Sequence, residues 1–269
     1  DSCLLWLPDT FGYSAALPQI LKNCGVKYLV TQKIFWSYND GEPFPYHYFG
    51  WKGMDGSQIT SFLPTSYTYD TTPEELNHVW KNRVQKRKLD SFLIPFGYGD
   101  GGGGPTRDHI EYLERQKDLE GDVKVRLESP VDYFERMKEK GGPEYIYNGE
   151  LYFNAHRGTY TSQAMIKYLN RRTEFALRGA ELWSSVAGKV TGDPYQAEKL
   201  ENLWKKLLFN QFHDILPGSS IGKVYETAEK ELEDTRKKAQ GIAGEALKNM
   251  VRSGNGITVF NSLPFSRKV

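Results

Sequence analysis

Short apolar runs alternate with helical patterns through the first half of the chain. Runs that predict strands occupy residues 4–7, 28–31, 59–63 and 92–96. Stretches with the amphipathic pattern of helices occupy residues 15–24, 73–88, 107–116 and 130–140. Ser129 before Pro130 is a typical N-cap with proline at the first helical position. This alternation predicts a parallel α/β sheet or barrel.

The pattern changes near residue 161, after which helical periodicity dominates. Helices are predicted over residues 163–187, 194–209 and 222–251, and their short connections favour an antiparallel three-helix bundle. The predicted buried face of the first contains Ala164, Tyr168, Phe175, Leu182 and Val186; that of the second contains Leu200, Leu203, Trp204, Leu207 and Leu208. Residues 257–260 predict a strand. We expect three domains, at residues 1–148, 149–254 and 255–269, the last being the start of a β-sandwich.

Composition narrows the classes of partner. The 35 basic residues nearly balance the 34 acidic ones, so no electrostatic footprint for nucleic acid or an anionic membrane is expected. No apolar run approaches the roughly 20 residues of a membrane helix, and no secretory signal opens the chain. Cys3 and Cys24 form no disulfide framework, which predicts a cytoplasmic protein. The aromatic content of 14% suits a carbohydrate cleft, although cores use the same residues.

The first candidate catalytic group is Asp9, which directly follows the predicted strand at residues 4–7. Catalytic groups of parallel α/β folds lie in loops beyond the carboxyl ends of strands. Position alone slightly favours a helix-capping role for Asp9. Ser14 is the better-placed cap, however, and this leaves the carboxylate of Asp9 without a structural task.

A second carboxylate, Asp100, follows the predicted strand at residues 92–96 and precedes four glycines, Gly101 to Gly104. A phosphate-binding loop is a weak alternative, because no Lys-Ser/Thr pair follows. Flexibility of the loop explains the glycines but not Asp100. Two carboxylates at strand ends of one sheet form the minimal set for glycoside hydrolysis: one attacks the anomeric carbon and the other donates and then removes a proton.

A third constellation is the run His213-Asp214 at the end of the second predicted bundle helix. Polar residues at a helix end are most often solvent-exposed without a specific function, and His213 could interact with the helix dipole there. Histidine is also the commonest metal ligand, and Asp214 is placed to orient it or to bind substrate.

Taken together, three motifs resemble glycoside hydrolase family 38, and within it the cytoplasmic and microbial α-mannosidases. They are WLPDTFGYS at residues 6–14, FGYGDGGGGPT at 96–106 and NQFHDILPGSS at 210–220. Residues 31–33, 51, 55–56 and 156–161 are also similar. The resemblance spans essentially the whole chain, and the order and spacing of the motifs are specific.

The resemblance implies a seven-stranded β/α barrel, then a three-helix bundle, then β-sandwich domains. It implies a retaining mechanism with Asp9 as nucleophile and Asp100 as general acid/base. It also implies a zinc ion bound by Asp9 and His213 that holds the mannose 2- and 3-hydroxyls. The candidate substrate-binding residues are Asp214, Trp36, Tyr98 and Tyr160. The substrate would be an oligosaccharide with terminal α-linked mannose, and the oligomeric state stays open, a homo-oligomer of the longer enzyme included.

Two departures from the family pattern limit these expectations. The family supplies further zinc ligands from a His-x-Asp segment of the first barrel strand, and this sequence contains no such segment. We therefore expect the N-terminal part of the barrel to be missing and the chain alone to bind zinc weakly and hydrolyse little. Asn154 stands where an acidic residue is expected. The alternatives are a metal-dependent carbohydrate deacetylase and a non-catalytic sugar-binding or assembly module.

Overall fold

A computed structural model of the protein describes residues 2–38, 41–251 and 254–268. Positions 1, 39, 40, 252, 253 and 269, which fall inside the three predicted domains, lie outside the described residues. The chain forms two compact units, Asp1–Arg157 and Gly158–Val269. Among the described residues, no helix is long and apolar enough to cross a membrane.

The first unit has a mixed α/β fold around a five-stranded sheet, as counted over the described residues. Its strands are β1 (Leu4–Trp6), β3 (Tyr28–Val30), β4 (Tyr48–Lys52), β5 (Gln58–Phe62) and β6 (Ile146–Asn148), in the order β1-β3-β5-β4-β6. A separate antiparallel pair joins β2 (Gly12–Tyr13) to β7 (Leu151–Tyr152).

Strand direction decides where the loops of this sheet meet. β1, β3 and β5 are mutually parallel neighbours, with Trp6 paired to Val30 and Val30 to Phe62 at their carboxyl ends. The loops that follow these three strands therefore leave from one edge of the sheet. β4 runs antiparallel to β5, so the expectation of a wholly parallel sheet is wrong at the hairpin of β4 and β5.

Both faces of the sheet are covered by apolar side chains. Alternate residues of a strand point to opposite faces, and Leu29 accordingly packs in one core cluster while Tyr28 and Val30 pack in another. The first cluster also contains Phe49 and Trp51, both fully buried. This double burial explains why the central strands read as continuous apolar runs.

The helices predicted in the first unit are present, although the one predicted over residues 73–88 already ends at Asn82. They are α1 (Leu17–Asn23), α2 (Pro73–Asn82), α3 (Arg107–Gln116) and α4 (Pro130–Glu139). The predicted cap of α4 is confirmed, since the Ser129 side chain accepts a hydrogen bond from the Asp132 amide. Ser14 is not the N-cap of α1: that position is Ala16, and the Ser14 hydroxyl accepts a hydrogen bond from the Ala16 amide.

Two strand predictions need correction. Residues 92–96 form no regular strand, and only Phe96 makes a bridge, to Tyr69. β1 is not a buried strand, because it lies at the sheet edge and Trp6 is 39% exposed. In each case the apolar run predicts an extended backbone, but pairing and burial depend on neighbours that the run does not specify.

In its described part, the second unit contains the three α-helices α5 (Ala164–Val190), α6 (Ala197–Asn210) and α7 (Gly222–Asn249). They share one apolar core, which includes Leu177 of α5, Leu207 of α6 and Leu232 of α7, all fully buried. On the predicted face of α6, Leu200, Leu203 and Leu207 are buried, whereas Trp204 is partly buried and Leu208 is 57% exposed.

The predicted buried face of α5 is wrong. Tyr168 and Phe175 are more than half exposed, Ala164 is exposed, and Leu182 and Val186 are only partly buried. The buried positions are Ile166, Leu169, Thr173, Leu177, Ala180, Ser184 and Ala187. Both sets have helical spacing, so the helix carries two faces with apolar residues and packing against α6 and α7 selects one. Residues 257–260 form no strand, and Ile257 is 94% exposed.

Candidate active site

Backbone hydrogen bonds hold the loop that carries Asp9 against the end of β3. The Leu7 amide donates to the Val30 carbonyl at 3.0 Å, which extends the parallel pairing by one residue. The amides of Gln32 and Lys33 then both donate to the Pro8 carbonyl, at 3.1 and 3.2 Å. Asp9 is thus fixed beside the loop that leaves β3.

A tyrosine beneath this loop reinforces it. The buried Tyr13 hydroxyl donates to the Leu7 carbonyl at 2.8 Å and lies 3.1 Å from Thr31 Oγ1. Burial raises the pKa of Tyr13 to about 12, so the hydroxyl keeps its proton and remains a donor. The Tyr13 hydroxyl therefore connects the segments after β1 and β3, in addition to the backbone bonds between them.

The carboxylate of Asp9 forms an ion pair with Lys33. Lys33 Nζ lies 3.0 Å from Asp9 Oδ1, and the two side chains are only 10% and 15% exposed. The same ammonium lies 3.4 Å from the ring centroid of Trp36, close enough for a cation–π interaction. Because the pair is largely shielded from water, the Lys33 charge stabilises the Asp9 carboxylate more than a surface lysine would.

Tyr67 connects the two carboxylates predicted from the sequence. Its hydroxyl donates to Asp100 Oδ1 at 3.0 Å, and the carboxylate of Asp9 is close enough to act on the same hydroxyl. Burial raises the pKa of Tyr67 above its usual value, and the neighbouring carboxylates of Asp9 and Asp100 raise it further, so the hydroxyl stays protonated.

Asp100 is exposed and lies in a tight glycine hairpin. The amide and carbonyl of Tyr98 exchange hydrogen bonds with those of Gly104, at 2.9 and 2.7 Å. Gly97 has a φ of +100°, and a Cβ there would lie 2.7 Å from the Pro105 nitrogen. Glycine is therefore required where the hairpin begins, and this geometry directs Asp100 toward Tyr67.

The other predicted site residues of the first unit border the Asp9–Lys33 pair or the hairpin. Trp36 is 54% exposed although one face of its ring meets Lys33. Tyr98 is 60% exposed and sets its ring edge-on to His109 at 5.2 Å. Asn154, the departure from the family pattern, accepts a hydrogen bond from the Ser37 hydroxyl at 2.8 Å and so connects to the segment just after Trp36.

The remaining predicted residues belong to the second unit. Tyr160 is 59% exposed. His213 and Asp214 follow α6, with His213 Nε2 3.4 Å from Asp214 Oδ2 and side chains 25% and 61% exposed. The Phe212 ring lies 4.3 Å from the imidazole of His213.

Metal ligands do not cluster within either unit. Over residues 2–38, 41–251 and 254–268, no group of three or more His, Cys, Asp or Glu side chains could hold a metal ion. The two predicted zinc ligands, Asp9 and His213, lie in separate units. These residues therefore do not make a complete metal site by themselves.

Sequence reasoning assigned no role to Lys33 or Tyr67. Lys33 falls in the similar segment 31–33, and both residues follow strands, β3 and β5, that run parallel to β1 in the same sheet. A lysine just beyond the carboxyl end of a parallel strand lies where functional side chains are expected, so its position could have identified Lys33. Tyr67, one of 17 tyrosines in an irregular loop, offered none.

Comparison with known proteins places these features in a family. Residues 1–160 match the Glycosyl hydrolases family 38 N-terminal domain, and residues 154–250 match the Alpha mannosidase middle domain. Alpha-mannosidase 2C1 of Mus musculus is 39% identical over 269 residues, which are 97% of this chain and 26% of that protein. Alpha-mannosidase G of Dictyostelium discoideum is 37% identical over 255 residues, which are 94% of this chain and 22% of that protein. The chain thus spans about a quarter of the length of these relatives.

A solved structure shows the same fold. An alpha-mannosidase from Enterococcus faecalis V583 superimposes with a TM-score of 0.76 at 22% sequence identity, covering 93% of this chain and 30% of that one. At this identity the likeness concerns the fold alone.

Proposed function

Because this chain belongs to glycosyl hydrolase family 38, we propose that it supplies the nucleophile and the general acid/base of a retaining α-mannosidase. The substrate would be an oligosaccharide with terminal α-linked mannose. The observation that carries the proposal is the hydroxyl of Tyr67, which donates to Asp100 and is also acted on by the neighbouring carboxylate of Asp9. Retaining glycosidases hold their two carboxyl groups about 5–5.5 Å apart, and two carboxylates that both neighbour one tyrosine hydroxyl support a short separation.

The environments of the two carboxylates support different roles. Asp9 is largely buried and pairs with the Lys33 ammonium, which holds the carboxylate in place as a group able to attack the anomeric carbon. Asp100 lies exposed in its hairpin, where a leaving-group oxygen or a water molecule can reach it to exchange a proton. The protonated hydroxyl of Tyr67 orients Asp100 by donating to its Oδ1.

For substrate binding we propose Trp36, Tyr98, Tyr160 and Asp214. The three aromatic side chains are each more than half exposed, which leaves ring surface for stacking on the C–H faces of a sugar. Asp214 is also exposed and could accept hydrogen bonds from sugar hydroxyls.

Zinc dependence is proposed for the longer protein only. Carboxylate and imidazole groups such as those of Asp9 and His213 are suitable zinc ligands. The described residues contain no cluster of three donors, and we propose that the longer protein supplies further ligands. Accordingly, we expect the 269-residue chain to bind zinc weakly and to hydrolyse little.

The larger architecture and location are also proposals. The open sheet of the first unit would be part of a β/α barrel, and α5, α6 and α7 would form the three-helix middle domain, with a β-sandwich following. A cytoplasmic location rests on the two cysteines, both free thiols, and on the resemblance to cytoplasmic family members.

The proposal is tested on a protein of the relatives' full length that contains this sequence. Hydrolysis of an aryl α-mannoside should fall by about 10³-fold or more in Asp9→Asn, because the attacking carboxylate is lost. Asp55→Asn is the matched control, since this exposed carboxylate only bonds Ser57 in the hairpin turn of the same unit. Its activity should be unchanged.

Two further measurements separate the alternatives. NMR of the first-formed product should show α-mannose for a retaining enzyme, and β-mannose first would refute the retaining mechanism. Activity on an acetylated sugar without activity on the mannoside would select a deacetylase. Sugar binding by both the unchanged protein and Asp9→Asn, with no turnover by either of them, would select a binding module.

A further inference from the structure

The turn formed by residues 211–218, which contains His213 and Asp214, has little regular structure of its own. Its internal bonds run from the amides of Ile215 and Leu216 to the Phe212 carbonyl, at 2.9 and 3.0 Å, and from the Gly218 amide to the Ile215 carbonyl at 3.1 Å. Three such bonds do not set the direction of a side chain unless the ends of the turn are anchored.

The C-terminal end of this turn is anchored by Lys167 of α5. Its ammonium donates to the Leu216 carbonyl at 3.0 Å and to the Ser162 carbonyl at 2.5 Å. Among the described residues, no carboxylate forms an ion pair with Lys167. Partial burial lowers the pKa of Lys167, in keeping with a cation that is held by backbone carbonyls rather than by water.

Close packing reinforces the same junction. Gly218 has a φ of +88°, and a Cβ there would lie 2.6 Å from the Ser162 carbonyl oxygen, so only glycine allows the two segments to touch. Ser162 in turn donates from its hydroxyl to the Gly158 carbonyl at 2.8 Å. The turn is therefore joined to the segment that carries Tyr160, two residues before Ser162.

The N-terminal end of the turn is anchored by the same helix. The side-chain amide of Gln211 donates to Asn170 Oδ1 at 3.0 Å and to Glu174 Oε1 at 3.1 Å. Asn170 also donates to Glu174 Oε1 at 3.3 Å, and Arg171 holds the other carboxylate oxygen of Glu174 at 2.7 Å. Lys167, Asn170 and Glu174 are spaced i, i+3 and i+7, which places them on one face of α5.

From these contacts we propose that Lys167, Asn170 and Glu174 are positioning residues that hold both ends of the 211–218 turn and so fix the orientation of His213 and Asp214. Lys167 extends this effect to the Tyr160 segment through Ser162. The functional meaning rests on the proposed function, in which His213 binds metal and Asp214 binds substrate. The positioning itself is a property of this chain and is measured without substrate or metal.

The test uses NMR of the 269-residue chain with labelled histidine, and His213→Gln identifies the signals of His213. Lys167→Met removes both donated bonds and keeps a similar side-chain volume. We expect it to shift or broaden the imidazole signals of His213 and to accelerate amide exchange at Leu216 and Gly218 by about tenfold or more. The amides of Leu177 and Leu232 in the helical core should exchange at the unchanged rate.

Rescue distinguishes positioning from general stabilisation. Lys167→Arg keeps a cationic donor at the same place and should restore the His213 signals at least in part. Lys223→Met is the matched control, because Lys223 makes only an exposed pair with Glu226 on α7. It should leave the His213 signals and the amide exchange as they are.

Two results would overturn the proposal. One is an unchanged His213 spectrum in Lys167→Met; the other is exchange that accelerates equally in the turn and in the core, as for a residue that only stabilises the unit. If Lys167→Met does not fold, Gln211→Leu cuts the N-terminal anchor instead and must perturb the same His213 signals. Failure of the proposed function is seen separately, as full mannoside hydrolysis by Asp9→Asn.

Discussion

Acid should destabilise the first unit through His47, a fully buried imidazole in the sheet core. His47 Nδ1 lies 2.6 Å from the Leu63 carbonyl and therefore carries the hydrogen. The ring stacks on Phe35 with centroids 4.5 Å apart and meets the edge of Phe92 at 4.6 Å. Among the described residues, Nε2 is buried without a hydrogen-bond partner, so a second proton there would have no acceptor.

The magnitude follows from proton linkage. Burial lowers the pKa of His47 from 6.5 to about 4, with a smaller contribution from the charge of Arg83. Above pH 6.5 the imidazole is neutral in both the folded and the unfolded chain and does not change the free energy of unfolding. As the pH falls from 6.5 to 4, the unfolded chain binds a proton that the folded chain does not, and at about 1.4 kcal/mol per pKa unit the free energy of unfolding decreases by about 3 kcal/mol.

The assay compares the unchanged protein with His47→Gln, which keeps a donor for the Leu63 carbonyl but does not titrate. Native-state hydrogen exchange of peptides covering β4 and β5 gives the free energy of opening of this unit at pH values between about 7.5 and 4.5. His47→Gln should lose about 2–3 kcal/mol less than the unchanged protein over this range. His78→Gln removes an exposed imidazole from α2 and should behave like the unchanged protein.

The comparison isolates His47 because all other titrating groups are shared. Equal losses in the unchanged protein and in His47→Gln, within about 0.5 kcal/mol, would refute the linkage to His47. An imidazole that titrates near its ordinary pKa of 6.5 in the folded protein, followed by NMR, would refute it directly.

Three further predictions concern stability. Lys33→Met should lower the free energy of unfolding of the first unit by about 2–3 kcal/mol in thermal or urea unfolding, because it leaves the largely buried Asp9 carboxylate without its cation. Gly97→Ala should cost about 2 kcal/mol and accelerate amide exchange in the following hairpin, since a Cβ at φ +100° meets the Pro105 nitrogen. Leu207→Ala should cost about 3 kcal/mol in urea unfolding of the second unit, through the cavity it leaves at a fully buried site.

Each of these has a matched control. Lys223→Met breaks only an exposed pair and should change stability by less than about 0.5 kcal/mol. Gly101→Ala also places alanine at a positive φ, but nothing lies within 4 Å of its Cβ, so it should cost about 1 kcal/mol. Leu208→Ala truncates a side chain that is 57% exposed and should cost less than about 1 kcal/mol. A control as damaging as its partner would contradict the structural reason given for that pair.

Local signals in the sequence placed most helices and three of the four proposed strands. The prediction for α3 agrees with its observed bounds, Arg107–Gln116, because helix periodicity and capping are properties of neighbouring residues. The sequence does not predict β4, although this strand contributes Trp51 to the core. It does predict a strand over residues 92–96, where the structure has none. Both errors concern pairing with distant segments, which an isolated run does not specify.

For the candidate site, local features of the sequence identify the two carboxylates and their positions in the chain. Asp9 follows an extended apolar run and Asp100 begins a run of glycines, and both features are local. The family resemblance implies the roles of Asp9 and Asp100. Neither the local features nor the resemblance specifies how the two carboxylates lie relative to each other.

Tertiary structure decided which groups meet. Because β1, β3 and β5 are adjacent and parallel, Asp9, Lys33 and Tyr67 leave the sheet at one edge although they are far apart in sequence. Likewise, α5 presents one of its two apolar faces to the core and uses Lys167 to hold the His213 turn, because packing against the other helices sets its rotation. Periodicity specifies a helix or a strand, whereas the order of strands and the rotation of a helix are chosen by the total burial of the folded chain.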